Sequence, residues 1–149
     1  MTTAEPINDL YSRKILGFAA DIPRLGRLKH PDATSRQVSR LCGSEVTVDL
    51  KVKDGVVTDF AHEVKACALG QASSSIMAHH VVGSTAEELR RVAKEMRAML
   101  KEDGPPPSGE KWADLKVLQP VRDYKARHTS TLLTFEAVVK CLDEIEAKA

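Results

Sequence analysis

Cysteines are the side chains of this sequence best suited to metal or sulfur chemistry, and there are three of them. Cys42, Cys67 and Cys141 are widely spaced in a chain of 149 residues. An odd number of cysteines at wide spacings is typical of free thiols in a reducing compartment rather than of a disulfide framework. We therefore predict a soluble, cytoplasmic protein in which each thiol binds metal, accepts sulfur or is buried.

Cys67 lies where an alternating apolar segment gives way to a block of small residues, ALGQASSS at 68–75. We predict that this block begins a helix ended by Gly83, with Cys67 at or just before its first turn. Unpaired amide groups at a helix start favour a thiolate, which is the nucleophilic and metal-binding form. The small side chains leave room for another backbone or a bulky inorganic group to approach closely.

An antiparallel hairpin is predicted around Asp54 and Gly55. The segment before them, EVTVDLKV at 45–52, alternates apolar and polar side chains, as a half-buried strand does. A second apolar run, VVTDFAHEVKA at 56–66, follows the turn. Glycine supplies the positive φ that such a turn requires. A weaker pattern at 34–40 predicts an additional edge strand.

The hairpin register predicts where the two thiols lie. A two-residue turn pairs residues whose numbers sum to 109, which puts Cys42 opposite Cys67. A three-residue loop changes the sum to 108 and pairs Val48 with Phe60. In either register both thiols reach the open end of the hairpin, where Cβ atoms of opposite residues are about 5 Å apart. That spacing suits one metal ion or one small cluster, and also a disulfide under oxidation.

Helical periodicity recurs in three further segments, at 8–20 after the capping candidate Asn8, at 85–100, and at about 127–147. Together with the hairpin, these segments predict an α+β fold. We expect a small antiparallel sheet of about three strands, packed by helices on one face. The length is ordinary for one domain, so residues 1–149 are expected to form a single unit.

Charge and hydropathy exclude two classes of partner. The formal net charge is +1, and residues of both signs are interspersed. This pattern provides no electrostatic footprint for nucleic acid or an anionic membrane surface. No apolar run approaches the roughly 18 residues of a spanning helix. We expect neither a nucleic acid nor a membrane as partner.

Three stretches of the chain resemble the NifU N-terminal-domain family of iron–sulfur scaffolds, and they are closest to its SufU branch. They are LYSRKILGFAADIPRLGRL at 10–28, LCGSEVTVDLKVKDG at 41–55, and ACALGQASSS at 66–75. The insertion at 104–127 also looks SufU-like rather than IscU-like. The resemblance covers nearly the whole chain. It implies a SufU/IscU-like fold and a site of three cysteines and one aspartate that holds a nascent cluster or zinc.

Carried over residue by residue, the resemblance makes Cys42 and Cys67 the first two ligands. Ser44 then occupies the position of the aspartate, and Thr129 that of the third cysteine. We expect neither hydroxyl to bind metal, because neutral hydroxyls are poor ligands for iron or zinc. His128 corresponds to a histidine beside the third cysteine in IscU-type members and is the predicted third ligand. Cys141 is expected to be a buried hydrophobe, roughly 18 Å beyond Thr129 along a helix.

The resemblance implies an iron–sulfur cluster assembly scaffold or sulfur acceptor rather than an enzyme. It would hold iron or a labile [2Fe-2S] cluster on Cys42, Cys67 and His128 for transfer to apo-proteins, with a cysteine desulfurase as partner. Cys42 or Cys67 could receive a persulfide. Three ligands fall short of the four that a cluster or structural zinc uses, so zinc binding should be weak. Two cysteines from each chain of a homodimer would supply a full set.

Two alternatives remain open from the sequence. One is a zinc-dependent sulfurtransferase partner of a cysteine desulfurase, against which the changes at Ser44 and Thr129 argue. The other is a degenerate family member that has lost its metal and only docks assembly partners. Reconstitution with iron and sulfide distinguishes both from a working scaffold.

Overall fold

The computed structural model describes residues 12–149. Four helices, three strands and two 3-10 segments follow one another along this part of the chain. They are α1 (Arg13–Ala20), β1 (Ala33–Val38), β2 (Glu45–Lys53), β3 (Val56–Lys65), α2 (Ala68–His80), α3 (Ala86–Lys101), the 3-10 segments Glu110–Asp123 and Lys125–Arg127, and α4 (His128–Lys148). The predicted cap Asn8 lies outside the described residues, and Ser12 caps α1 by accepting from the Ile15 amide.

The sheet has the order β1-β2-β3, and both pairings are antiparallel. Val46, Val48 and Leu50 of β2 are fully buried beneath the helices, as the alternation in the sequence predicts. Helix α4 packs across β1 and β2, while α2 packs on β3 and on α1. The predicted α+β fold with a three-stranded antiparallel sheet is therefore confirmed.

The β2–β3 hairpin turns at Asp54 and Gly55, whose φ angles of 54° and 78° are the positive values that a two-residue turn demands. Next to the turn the paired numbers sum to 109, as in Val52 with Val57. A bulge between Lys51 and Val52 then shifts the register. Beyond it the paired numbers sum to 110, as in Val48 with His62, so neither predicted register, with a sum of 109 or of 108, holds at the open end. One extra residue in β3 changes the alignment of the whole open end.

The loop at 21–32 is fixed to the sheet at two places. Its backbone adds to the β3 edge, where the Gly26 amide donates to the His62 carbonyl at 2.8 Å and the His62 amide donates to Arg24 at 3.2 Å. Asp49, fully buried on β2, accepts from the Arg27 guanidinium and the Leu28 amide at 2.7 to 3.0 Å. The loop therefore closes over the sheet face opposite α4.

Burial raises the pKa of the Asp49 carboxyl, but hydrogen bonds from Arg27, Thr34 and the Leu28 amide outweigh it and hold that pKa below its ordinary value. A carboxyl whose pKa is lowered by folding stabilises the fold above its unfolded pKa of about 4. That contribution is lost as the pH falls through the folded pKa. At neutral pH the ionised Asp49 carboxylate therefore holds the loop at 21–32 against the sheet.

None of the helices within residues 12–149 has the length and apolar character needed to cross a bilayer.

Replacing Asp49 by Asn should lower the free energy of unfolding by about 2 kcal/mol at pH 7, because a charge-assisted acceptor of four hydrogen bonds is lost. The difference from wild type should shrink only below about pH 4, where the wild-type carboxylate is itself protonated. Urea unfolding followed by circular dichroism measures both. Asp59→Asn is the matched control, since its ion pair with Arg24 is 3.8 Å long and half exposed. It should change the stability by less than about 0.5 kcal/mol.

Candidate functional site

Cys42 lies in the tight loop that joins β1 to β2. The Ser39 amide donates to the Ser44 carbonyl at 2.8 Å, and the Gly43 amide donates back to the Ser39 carbonyl at 2.8 Å. Gly43 closes the loop with a φ of 73°, a value that glycine adopts without strain. Cys42 is exposed, and the neighbouring Leu41 is 72% exposed. This loop therefore presents a thiol to solvent at the open end of the β2–β3 hairpin.

Cys67 is the N-cap residue of α2, as the sequence predicts, with extended backbone angles of −67° and 171°. Its carbonyl accepts the first helical bond, from the Gln71 amide at 2.9 Å. Its side chain makes no capping hydrogen bond. The thiol is therefore available for other chemistry, beside the positive end of the helix dipole.

Ser44 connects the two cysteines. Its hydroxyl lies 3.1 Å from the Cys42 sulfur and 3.4 Å from the Cys67 amide nitrogen. The Cys67 amide can only donate, so the Ser44 oxygen accepts there and its proton is free to point at the Cys42 sulfur. The Cys67 amide thus donates to Ser44, and Ser44 can donate to the Cys42 sulfur. A donor at that sulfur stabilises the thiolate form of Cys42.

Ser130, in the first turn of α4, reaches the second thiol. Its hydroxyl oxygen lies 3.5 Å from the Cys67 sulfur and donates to the Arg127 carbonyl at 3.2 Å. Gly70 permits this approach of α4 to α2, since a Cβ there would stand 3.1 Å from the Ser130 carbonyl oxygen. The small residues after Cys67 therefore do admit another backbone, as the sequence predicts.

Hydroxyl groups set the acidity of Cys42. Burial raises the pKa of its thiol and is the largest single influence. Hydrogen bonds with the hydroxyls of Ser39, Ser44 and Ser130, and with the Ser44 backbone, act together against it and lower the pKa to about 7. Roughly half of the thiol is then ionised at neutral pH, which is the form that attacks sulfur or binds metal.

Thr129, which the resemblance places at the family's third ligand position, does not contact the cysteines, but its neighbour Ser130 does. Thr129 is exposed, whereas Ser130 is fully buried and faces the cysteines. Helix α4 already begins at His128, so adjacent residues point about 100° apart around its axis. The signal for Ser130 was present in the sequence, because it continues the buried helical stripe of Thr134, Ala137 and Cys141.

His128 does not join the cysteines, and this corrects the predicted ligand set. Its Nε2 donates to the carbonyl oxygens of Val121 and Arg122, at 3.0 and 3.1 Å. The ring is 3% exposed and ties α4 to the end of the preceding 3-10 segment. Across residues 12–149 no group of three or more His, Cys, Asp or Glu side chains is placed to hold one metal ion.

Cys141 is buried in the core, where its sulfur lies 3.6 Å from the Val48 carbonyl oxygen. Burial, with the nearby charges of Glu144 and Asp49, raises the pKa of its thiol to about 12. It is a packing residue, remote from the two cysteines at the open end of the sheet.

The fold and site define a small α+β protein that presents two thiols, surrounded by neutral hydroxyls, at the open end of a three-stranded sheet. The chain belongs to the family described as the NifU-like N terminal domain, whose model matches residues 10–131.

Solved structures and curated proteins agree with this assignment. A nitrogen-fixing NifU-like protein (N-terminal) from Brucella abortus is 61% identical and superposes with a TM-score of 0.95, covering 97% of this chain and 99% of the other. The iron–sulfur cluster assembly scaffold protein IscU of Thermotoga maritima is 29% identical over 91% of this chain and 94% of its own. A putative SUF-system scaffold protein from Fervidobacterium islandicum shares the fold at 21% identity, with a TM-score of 0.82 over 91% of this chain and 98% of the other.

Alkylation of the metal-free protein tests the hydroxyl network. The rate of iodoacetamide labelling at Cys42 should rise with pH around a midpoint of about 7. Ser44→Ala removes the hydroxyl 3.1 Å from the sulfur and should move that midpoint upward, toward the 8.5 of an ordinary thiol. Cys141 should remain unlabelled until the protein unfolds. Mass spectrometry of the labelled peptides separates the sites, and an equal midpoint in wild type and variant would contradict this account.

Proposed function

We propose that this protein is an iron–sulfur cluster assembly scaffold or sulfur acceptor, with Cys42 and Cys67 as its working groups. The observation that carries the proposal is the pair of thiols joined through the Ser44 hydroxyl at an exposed end of the fold. Thiolates are the ligands that iron in such clusters uses most. The curated relative from Thermotoga maritima, described as an IscU scaffold, supports the same function.

The residues present favour loose rather than tight retention of the cargo. Cys42 and Cys67 each offer one sulfur, and the surrounding Ser39, Ser44 and Ser130 are neutral hydroxyls. The Ser44 hydroxyl, which can donate to the Cys42 sulfur, would hold the orientation of a metal-bound thiolate and lower its basicity without adding a ligand. A cluster or iron ion held in this way can be released to an apo-protein. The cargo is thus a substrate of the scaffold rather than a permanent cofactor.

Sulfur uptake fits the same geometry. A cysteine desulfurase carries sulfur as a persulfide, and the Cys42 thiolate attacks its outer sulfur atom. The new sulfur–sulfur bond forms on Cys42, the old one breaks, and the desulfurase cysteine leaves as a thiolate. No external oxidant or reductant is required. The exposed loop and the lowered pKa of Cys42 suit it to this role in a reducing cytoplasm.

The zinc-dependent sulfurtransferase alternative is less well supported by the donor set. A structural or catalytic zinc site uses at least three protein nitrogen, sulfur or carboxylate ligands. Among the described residues only the two thiols are available at the open end of the sheet, since His128 is held by backbone carbonyls. A protein that only docks partners would not require two thiols joined through the Ser44 hydroxyl at an exposed end of the fold.

Anaerobic reconstitution with ferrous iron and sulfide tests the proposal. The wild-type protein should develop the visible absorption of thiolate-to-iron charge transfer. Cys42→Ala and Cys67→Ala should each reduce that absorption at least tenfold, because each removes one of the two thiolates. Cys141→Ala is the matched control and should retain it, since Cys141 is buried elsewhere.

Two results would count against a scaffold. Protein that stays colourless and free of iron would refute metal-cargo binding, and full absorption in the Cys42→Ala, Cys67→Ala double variant would place the cargo elsewhere. Tight zinc in the protein as purified would favour the sulfurtransferase.

A further inference from the structure

A groove with a volume of about 430 Å³ runs along the surface between α3 and α4. The apolar part of its lining consists of Leu132 and Phe135, which are buried, and of Ala93 and Val139, which are half-buried. The other lining side chains are charged, and four of these five are cations. This α3–α4 groove therefore combines an apolar floor with a positively charged rim.

Ion pairs lie toward the two ends of the α3–α4 groove. The Arg90 guanidinium lies 2.8 Å from the Asp143 carboxylate, and the Arg97 guanidinium lies 3.7 Å from the Glu136 carboxylate. Because the residue numbers of the partners run in opposite directions, these pairs also show that α3 and α4 are antiparallel. Both arginines therefore already have a counter-charge.

Lys94 and Lys140 lie between these two ion pairs, at about the same level on the facing helices. Both lysines are exposed and line the groove. Neither forms an ion pair with any of residues 12–149, in contrast to the arginines at the ends. The centre of the α3–α4 groove thus carries two positive charges without a counter-charge, beside apolar side chains. This combination fits a carboxylate that has an apolar group next to it.

Two other classes of partner fit the α3–α4 groove poorly. A run of phosphates on a nucleic acid would meet the carboxylates of Glu136 and Asp143 at its ends. The apolar side chains of α3 that could enter a bilayer, Leu89, Val92 and Met96, are instead buried in the core at 1% exposure or less. An acidic segment of a protein matches the positive centre and the apolar floor together.

We propose that the α3–α4 groove docks a helix of a partner protein, with one carboxylate of that helix between Lys94 and Lys140 and an apolar side chain against Val139. The inference goes beyond the proposed function, since it uses neither thiol and no cargo. Residues three or four apart lie on one face of a helix, so a Glu and a Leu at that spacing reach the groove together. The two lysines then gain the counter-charge that α3 and α4 do not provide.

The centre of the α3–α4 groove lies apart from the thiols. Lys140 follows Ser130, whose hydroxyl reaches the Cys67 sulfur, by ten residues of α4. Ten residues of helix span about 15 Å. A partner helix centred at Lys140 would therefore leave Cys42 and Cys67 uncovered, so that one chain can dock this partner and hold cargo at the same time.

Fluorescence anisotropy of the metal-free protein with a labelled peptide tests the proposal. The probe is an alanine-based helical peptide with Glu and Leu four residues apart on one face, and its matched control has Gln in place of each Glu. We expect saturable binding of the Glu peptide that weakens as salt is added. The Gln peptide should bind about tenfold more weakly or not at all, because the lysines then gain no counter-charge.

Charge reversal in the α3–α4 groove provides the test at the level of residues. Lys94→Glu with Lys140→Glu should weaken binding of the Glu peptide by about tenfold or more, because like charges then face each other. Lys53→Glu with Lys116→Glu is the matched control, since both of these lysines are exposed outside the groove and the change in net charge is the same. It should change the affinity by less than about twofold, because salt screens distant charges. Val139→Gln keeps every charge and should weaken binding through the apolar contact alone.

Several results would overturn the proposal. Wild-type protein that does not bind the Glu peptide would do so, and equal weakening by the groove and control variants would reduce the interaction to net charge. Binding to phosphatidylglycerol vesicles instead of the peptide would make the groove a membrane surface. Self-association that only the groove variant abolishes would make a second copy of the chain the occupant.

The scaffold function is tested separately. The Cys42→Ala, Cys67→Ala double variant should bind the Glu peptide as the wild type does, and a loss of binding there would contradict a surface apart from the thiols. Because the peptide assay contains neither iron nor sulfide, absence of peptide binding leaves the scaffold function intact, and failed reconstitution leaves the groove intact.

Discussion

The hydroxyl of Ser44 is the contact on which the site depends. It joins the sulfur of Cys42, in a loop between two strands, to the amide of Cys67, at the start of a helix. Because the amide donates to Ser44 and Ser44 can donate to the sulfur, a single hydroxyl fixes the relative position of the cysteines and favours ionised Cys42.

Most of the fold could be predicted from the sequence, because its signals are local. The alternation in β2 and the Asp54–Gly55 turn specified the hairpin, and the small residues after Cys67 specified the close packing of α2. The register failed beyond Lys51, where a bulge adds a residue to β3. The buried Val57 and Phe60 of β3 are three residues apart, a spacing that strict alternation does not allow on one face and that the bulge explains.

The site was harder to predict, because its last residues lie far along the chain. Cys42 and Cys67 followed from the hairpin, but the side chain that approaches Cys67 from α4 depends on the rotation of that helix about its axis. The helix begins at His128, within one residue of the predicted start, and its rotation turns Ser130 inward and Thr129 outward. The same rotation directs His128 to the carbonyl oxygens of Val121 and Arg122. Helical periodicity alone did not show which of these neighbouring side chains faces the cysteines.

Chemically, the site combines a reactive thiol with an incomplete set of ligands. Neutral hydroxyls lie beside the two thiols in place of the charged and sulfur ligands that the family resemblance implies, so the described residues offer two sulfur ligands here. The packing that excludes Cys141 from this chemistry leaves Cys42 and Cys67 as the cysteines that can act. The proposed loose binding and the proposed sulfur uptake both follow from this one arrangement.

Native mass spectrometry of the anaerobically reconstituted protein is the most direct test of whether Cys42 and Cys67 hold the cargo, because it counts the iron and sulfide on each variant. The account predicts iron and sulfide on the wild-type protein and on Cys141→Ala, and none on the Cys42→Ala, Cys67→Ala double variant. Wild-type protein without iron, or a double variant that carries as much iron as wild type, would contradict it.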